Sequence, residues 1–295
     1  HFEADFQWGN AAATARWNHR FSDKHVVDVS GILSDYDFSF EWDFGGIKTA
    51  VETGVRDYTF RTDFVYTPSV RHQVEYGLHY THHTLRPRTG SAETAEGDVF
   101  STDRILSKTA HEAAVYLSDD WNVTDRFLLS LGIRGSYFAQ MGPFTFYTFD
   151  QNERPIDSVE YAAGEHVKTF QALEPRVSVR YTLTGASSVK ASYTRSEQYL
   201  HLVSNAYTTL PLDVWVPSSA IVKPQRATQY ALGYFQSFGK NMYEGSVEVY
   251  YKTMENQLEY REGFVAGPSN RDLEYEFVRG SGESYGAEFF LRKNY

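Results

Sequence analysis

The segment Arg56-Asp57-Tyr58-Thr59-Phe60-Arg61-Thr62-Asp63-Phe64-Val65-Tyr66 sorts its residues by parity. Tyr58, Phe60, Phe64 and Tyr66 fall on even positions, while Asp57, Thr59, Arg61 and Asp63 fall on odd ones. Period two is the signature of a β-strand, whose successive side chains point to opposite faces. The next segment repeats it, with Val74, Tyr76, Leu78 and Tyr80 on one side and Gln73, Glu75 and His79 on the other. Phe127, Leu129, Leu131, Ile133 and Tyr137 likewise alternate with Ser130, Gly132, Arg134 and Ser136. Val177, Val179, Tyr181 and Leu183 alternate with Arg176, Ser178, Arg180 and Thr182. Working outward from these gives eleven strands, at roughly 10–21, 25–40, 54–66, 72–85, 109–121, 127–140, 174–184, 188–199, 227–238, 243–258 and 278–292. No segment carries a convincing helical stripe, so the chain reads as all-β.

The connections alternate in length. Short turns lie at 22–24, 67–71, 122–126, 185–187 and 239–242, and longer links at about 41–53, 86–108, 141–173, 200–226 and 259–277. Short turns at one end and long loops at the other are expected of an antiparallel transmembrane β-barrel. A β-propeller would instead show a blade repeat of about 40–50 residues. Eleven strands raise a question of parity: closing the last onto the first would force a parallel pair, whereas bacterial single-chain barrels use even antiparallel numbers. The expectation is therefore one domain, residues 1–295, forming part of a larger barrel.

Composition fits that reading. Aromatic residues make up 16% of the 295, with 22 Tyr and 21 Phe. Rings of this kind are favoured at lipid–water boundaries. No apolar run approaches the ~18–20 residues of a membrane-spanning helix, but barrel strands are shorter and alternate. The net charge of -10 argues against a nucleic-acid partner, which would call for a basic stripe. With no cysteine, a disulfide framework and a thiolate zinc site are both excluded.

Several blocks resemble the barrels of TonB-dependent outer-membrane receptors. Trp8-Gly9-Asn10 with Arg16-Trp17-Asn18-His19 is similar to a strand entering after an outer loop. Tyr116-Leu117-Ser118-Asp119-Asp120-Trp121, then Leu131-Gly132-Ile133-Arg134, is similar to a recurrent hairpin of that family. The most distinctive block is Leu173-Glu174-Pro175-Arg176 with Ser192-Tyr193-Thr194-Arg195. Asp213-Val214-Trp215-Val216-Pro217, Lys223-Pro224, Tyr230-Ala231-Leu232-Gly233-Tyr234 and the run Gly280–Glu288 continue it. The resemblance implies a barrel of about 22 strands in the outer membrane of a Gram-negative cell, with an N-terminal plug and a TonB box. It implies active import of a solute of siderophore, cobalamin, glycan or peptide class. The implied partners are the TonB complex, reached through an N-terminal region, the bilayer with its lipopolysaccharide, the solute, and other outer-membrane proteins. A second reading makes the barrel a structural or interaction component of an outer-membrane complex.

Candidate ligand contacts come from the links and the strand ends next to them. His82 and His83 belong to the densest histidine cluster, with His79. Adjacent strand residues face opposite ways, and His79 and His83 lie roughly 13 Å apart at ~3.3 Å per residue. That spacing disfavours zinc, whose ligand atoms sit at about 2.0–2.1 Å, so no metal and no cofactor is expected. The pair Arg86 and Arg88 opens a mixed-charge link and offers a seat for an anion. Phe146 and Tyr147 lie among the rings of link 141–173, which serve either to stack on a solute or to pack loops together. Trp215 sits in link 200–226, and loops are where binding residues concentrate. No nucleophile elbow, phosphate loop or metalloprotease helix motif occurs, so an enzyme is not expected.

Overall fold

The computed structural model describes residues 2–44, 46–94, 97–101, 107–152, 154–204, 213–263 and 273–294, with backbone only at 2, 44, 51, 87–94 and 97–101. Sixteen strands occur among the described residues. They are β1 (Phe2–Ser22), β2 (His25–Phe44), β3 (Ile47–Ser69), β4 (His72–Thr94), β5 (Gly97–Ser101), β6 (Lys108–Thr124), β7 (Phe127–Met141) and β8 (Phe144–Phe149). There follow β9 (Pro155–Tyr161), β10 (His166–Thr184), β11 (Ser187–Gln198), β12 (Leu200–Val203), β13 (Val214–Pro217), β14 (Gln225–Phe238), β15 (Tyr243–Tyr260) and β16 (Phe277–Lys293). One 3-10 turn, η1, spans Leu273–Glu276.

Eleven of these strands form one sheet in the order β1-β2-β3-β4-β6-β7-β10-β11-β14-β15-β16, with β5 paired to β4. They are the eleven that alternation identifies. Every pairing is antiparallel, and among the described residues the sheet is open, with β1 and β16 at its edges. The hairpins β8–β9 and β12–β13 stand apart from it.

The strands outrun the expected boundaries. β2 and β3 pair from His25↔Tyr66 to Phe44↔Ile47, so most of the expected link 41–53 is ladder. β4 continues to Thr94 through the first part of link 86–108. A crossing needs only about 9–11 tilted residues, whereas β3 and β4 have 23 each. In a chain that crosses a bilayer, such an excess would carry the hairpins beyond it. In β2 the alternation continues with the pairing, Phe38, Phe40 and Trp42 set against Ser39, Glu41 and Asp43, and Phe40 stacks between Phe6 and Trp42; in β4 the ladder runs on through residues 86–94 without such an alternation.

Four of the five short turns use the same chemistry. The hydroxyls of Ser22, Ser69, Thr124 and Thr184 accept hydrogen bonds from the backbone N–H two residues on, at Lys24, Arg71, Arg126 and Ala186, over 3.2–3.3 Å. A register shift accompanies each. Such side-chain turns fix the chain reversal and the pairing that follows it. The fifth turn instead places Lys240 and Asn241 at φ 57° and 67°.

Register settles which residues share a face. On one, Tyr193, Tyr230, Tyr251 and Tyr285 line up across four strands. Leu131, Ile133, Leu232, Val249 and Phe289 share that apolar face and stay between 44% and 78% exposed. On the other face, Tyr116 reaches across β4 to donate its hydroxyl to Asp63, which Arg61 Nε also contacts at 2.5 Å. The reach requires Gly77, where a Cβ would lie 2.1 Å from the Thr62 carbonyl oxygen and 2.8 Å from the Tyr116 hydroxyl. The buried apolar clusters lie where links fold back. One joins Val203, Val214, Val216, Val222 and Tyr260, and the other joins Ala110, Phe138 and Tyr199.

Candidate functional site: the polar wall and its loop strap

Even residues of β6, β7 and β10 and odd residues of β3 and β4 form the polar face. Near its upper end, meaning the end away from the short turns, it carries a ladder of charges running across the strands. His83 Nδ1 lies 2.8 Å from Asp57 Oδ1, and its Nε2 lies 3.7 Å from Glu112 Oε2. Arg134 then spans from Glu112 (Nη2–Oε1, 3.6 Å) to Glu174 (Nε–Oε1, 3.5 Å). Each base sits between two acids, so the desolvated charges are mutually compensated. Glu174 is buried and also receives the Glu197 backbone N–H at 3.4 Å.

Over this wall lies a strap formed by residues 199–203 and 214–222. Tyr199 stacks on Phe138 at 5.0 Å, and its hydroxyl bonds Ser136 Oγ at 2.8 Å. The Ala220 N–H donates to Gln140 Oε1 at 2.9 Å. Ser136, Phe138 and Gln140 are all even residues of β7, which places the strap on the polar side. β13 extends as far as β3 and β4. At its base Glu274 of η1 accepts from Ser219 Oγ at 2.7 Å and from Lys108 Nζ at 2.5 Å. His201 is 1% exposed and bonds Ser218 Oγ through Nε2 at 3.0 Å, while its Nδ1 has no hydrogen-bond partner. Burial pushes its pKa down to about 4, keeping the ring neutral.

The residues singled out from sequence separate into distinct places. His82 and His83 face opposite ways, as alternation requires. His82 meets His111 on the apolar face, ring centroids 4.9 Å apart, whereas His83 belongs to the ladder. Arg86 is neutralised: its Nη2 lies 3.1 Å from Asp35 and also contacts Asp37. Arg88 lies in β4, but its side chain is outside the described residues. Tyr147 packs against the link that follows β15: its N–H donates to the Tyr275 hydroxyl at 2.7 Å, and the rings lie 6.3 Å apart. Phe146 is half-buried in β8, opposite Val159. Trp215 is half-buried in β13, opposite Leu202, while its neighbours Val214 and Val216 enter the apolar cluster. Among the described residues no group of three His, Asp or Glu side chains is arranged to hold a metal ion.

Sequence reasoning named His83 but not its partners. Parity puts Asp57, Glu112, Arg134 and Glu174 on one face, yet only register shows that they meet. His201, Ser219, Glu274 and Lys108 belong to links whose packing has no sequence period.

A family model described as "TonB dependent receptor-like, beta-barrel" matches residues 2–294. The chain belongs to that family. Among solved structures, the copper transporter OprC superposes with a TM-score of 0.71 at 13% identity, over 99% of this chain and 45% of that one. The ferric yersiniabactin uptake receptor FyuA from Yersinia pestis gives 0.60 at 13% identity, over 96% and 39%. The ferric citrate transporter FecA gives 0.59 at 14% identity, over 98% and 39%. At such identities the likeness is one of fold. The chain spans less than half the length of each of these proteins. Among curated proteins none matches its sequence.

Proposed function

We propose that this chain is wall of an outer-membrane receptor that binds a solute and imports it actively, with energy delivered through TonB. The family match over residues 2–294 carries the reading. The two faces support it: exposed aliphatic and aromatic side chains suit lipid on one side, and a charged face suits a watery lumen on the other. The apolar face would then meet lipid and lipopolysaccharide, and the chain acts as a transporter rather than an enzyme. Solute would enter past the links that hold Phe146, Tyr147 and Trp215, then pass the ladder that holds His83. The test is deletion of the full-length gene, with growth and uptake measured on ferric siderophores, cobalamin, oligosaccharides and short peptides. The expected result is loss of one solute class, reproduced by deleting tonB. Unchanged uptake of every class in both strains would overturn the proposal.

A further inference from the structure

At two places in the sheet a long side chain lies across a glycine of the neighbouring strand and meets a carboxylate one strand further on. In the register row Tyr116↔Gly77↔Asp63, the Tyr116 hydroxyl donates to Asp63 across β4. In the row Arg86↔Gly54↔Asp37, the Arg86 guanidinium crosses β3 to contact Asp37 and, at 3.1 Å, Asp35. The glycine opens the path in each case. A Cβ would lie 2.8 Å from the Tyr116 hydroxyl at position 77 and 2.7 Å from Arg86 Nη2 at position 54. Because the polar end itself rests over the glycine, it is delivered to the second strand, about 4.8 Å further on.

A third row begins in the same way and stops at the edge of the sheet. It runs Ser178↔Ser192↔Ala231↔Tyr250↔Gly286 on the polar face. A Cβ at position 286 would lie 2.9 Å from Tyr250 Cε1 and 3.0 Å from its hydroxyl. At position 77 the matching distances, to Tyr116, are 2.9 and 2.8 Å. The two tyrosines therefore cross their glycines in the same pose. Nearby glycines are covered differently: Met254 brings only its Cε methyl to Gly282, and Glu248 brings its Cγ, not its carboxylate, to Gly233. Among the described residues the Tyr250 hydroxyl has no hydrogen-bond partner.

The foot of β16 repeats a contact made before every earlier passage from a descending strand into a short turn. Thr67, Asn122, Thr182 and Ser237, near the ends of β3, β6, β10 and β14, donate their backbone N–H to Lys24, Arg71, Arg126 and Ala186 of the preceding turn. Each is followed by a reversal into the next strand. Asn294 donates to Met242 in the same manner, at 2.7 Å.

We propose that a further strand of the full-length chain pairs with the free edge of β16 and places an aspartate or glutamate opposite Gly286, where it accepts the Tyr250 hydroxyl. Pairing satisfies the backbone groups of the edge; the carboxylate is the specific part of the claim. Both completed rows end on a carboxylate, and a charge-assisted hydrogen bond is roughly twice as strong as a neutral one. A side chain that spans a glycine to the second strand ties three strands into one register. The inference concerns how the wall continues and stands apart from the import reading, so a receptor that carried no solute would leave it intact.

The test uses the full-length receptor. Its sequence should show Asp or Glu at the position paired with Gly286; an apolar or basic residue there overturns the proposal. Tyr250→Phe is then combined with the alanine variant of that acidic residue, and unfolding rates in denaturant are compared, with Tyr116→Phe as the benchmark for a bond of this kind. Each single change should speed unfolding about tenfold, as expected for one hydrogen bond to a charged group. The double variant should unfold no faster than the faster single one. Tyr250→Phe keeps the ring over Gly286, so a tyrosine that only fills the glycine's space would leave the rate unchanged, which overturns the proposal. Additive effects of the two changes overturn it as well, since the hydroxyl would then bond elsewhere in the receptor.

Discussion

The upper and lower parts of the polar wall share a face, a strand order and an alternation, yet treat charge in opposite ways. In the upper part, Asp57, His83, Glu112, Arg134 and Glu174 alternate in sign across five strands, and each base is flanked by acids. In the lower part, Arg180 faces Lys190 and Glu248 faces Glu288. The sheet requires only that this face be polar; it does not dictate which charges stand opposite. The upper wall lies beneath the strap and is partly desolvated, so its charges must be compensated internally. Among the described residues Arg180, Lys190 and Glu288 are exposed, and at an exposed position water screens charges that face their like.

The largest effect is expected where compensation is lost under the strap. Glu112→Ala takes one acid from both His83 and Arg134 and should destabilise the full-length receptor by about 3 kcal/mol in denaturant unfolding. A change under 1 kcal/mol would mean that the upper wall is no better compensated than the lower. Next comes the strap itself. His201 has a folded pKa of about 4, below its unfolded value near 6.5, so its contribution is fully present above pH 6.5 and declines as pH falls toward 4. At pH 5 the loss should be on the order of 2 kcal/mol, read as faster amide exchange over β12 after correction for intrinsic rates. His201→Phe should abolish that pH dependence. Gly77→Ala places a methyl against the Thr62 carbonyl and the Tyr116 ring and should cost about 1–2 kcal/mol. The smallest effect has the opposite sign. R180Q/K190Q should stabilise the receptor by about 0.5 kcal/mol at low salt, fading as ionic strength rises.

Most of the sheet was legible because period two is imposed by the backbone itself: Leu131 and Arg134 had to face opposite ways. The strand ends were less legible: β4 runs on through residues 86–94 without an apolar alternation, and in β2 the alternation of Phe38, Phe40 and Trp42 that does mark its end runs into the expected link 41–53. The ladder was half legible. Parity gathers Asp57, His83 and Glu112 on one side, but their meeting depends on register, which the turns at Ser22, Ser69, Thr124 and Thr184 set. The strap was not legible, because His201, Ser219 and Glu274 come together through loop packing. Arg86 shows what the structure adds in the other direction: the cation read from sequence as a seat for an anion lies against Asp35 and Asp37.

The central claim is that the two faces of one sheet meet lipid and water. The chain has no cysteine, so single cysteines can be introduced in turn from Val247 to Tyr251 and labelled with a fluorophore in the full-length receptor. Reconstituted with nitroxide-bearing lipid, labels at 247, 249 and 251 should be strongly quenched and those at 248 and 250 spared. Uniform quenching along the strand, or quenching at the even positions, would contradict it.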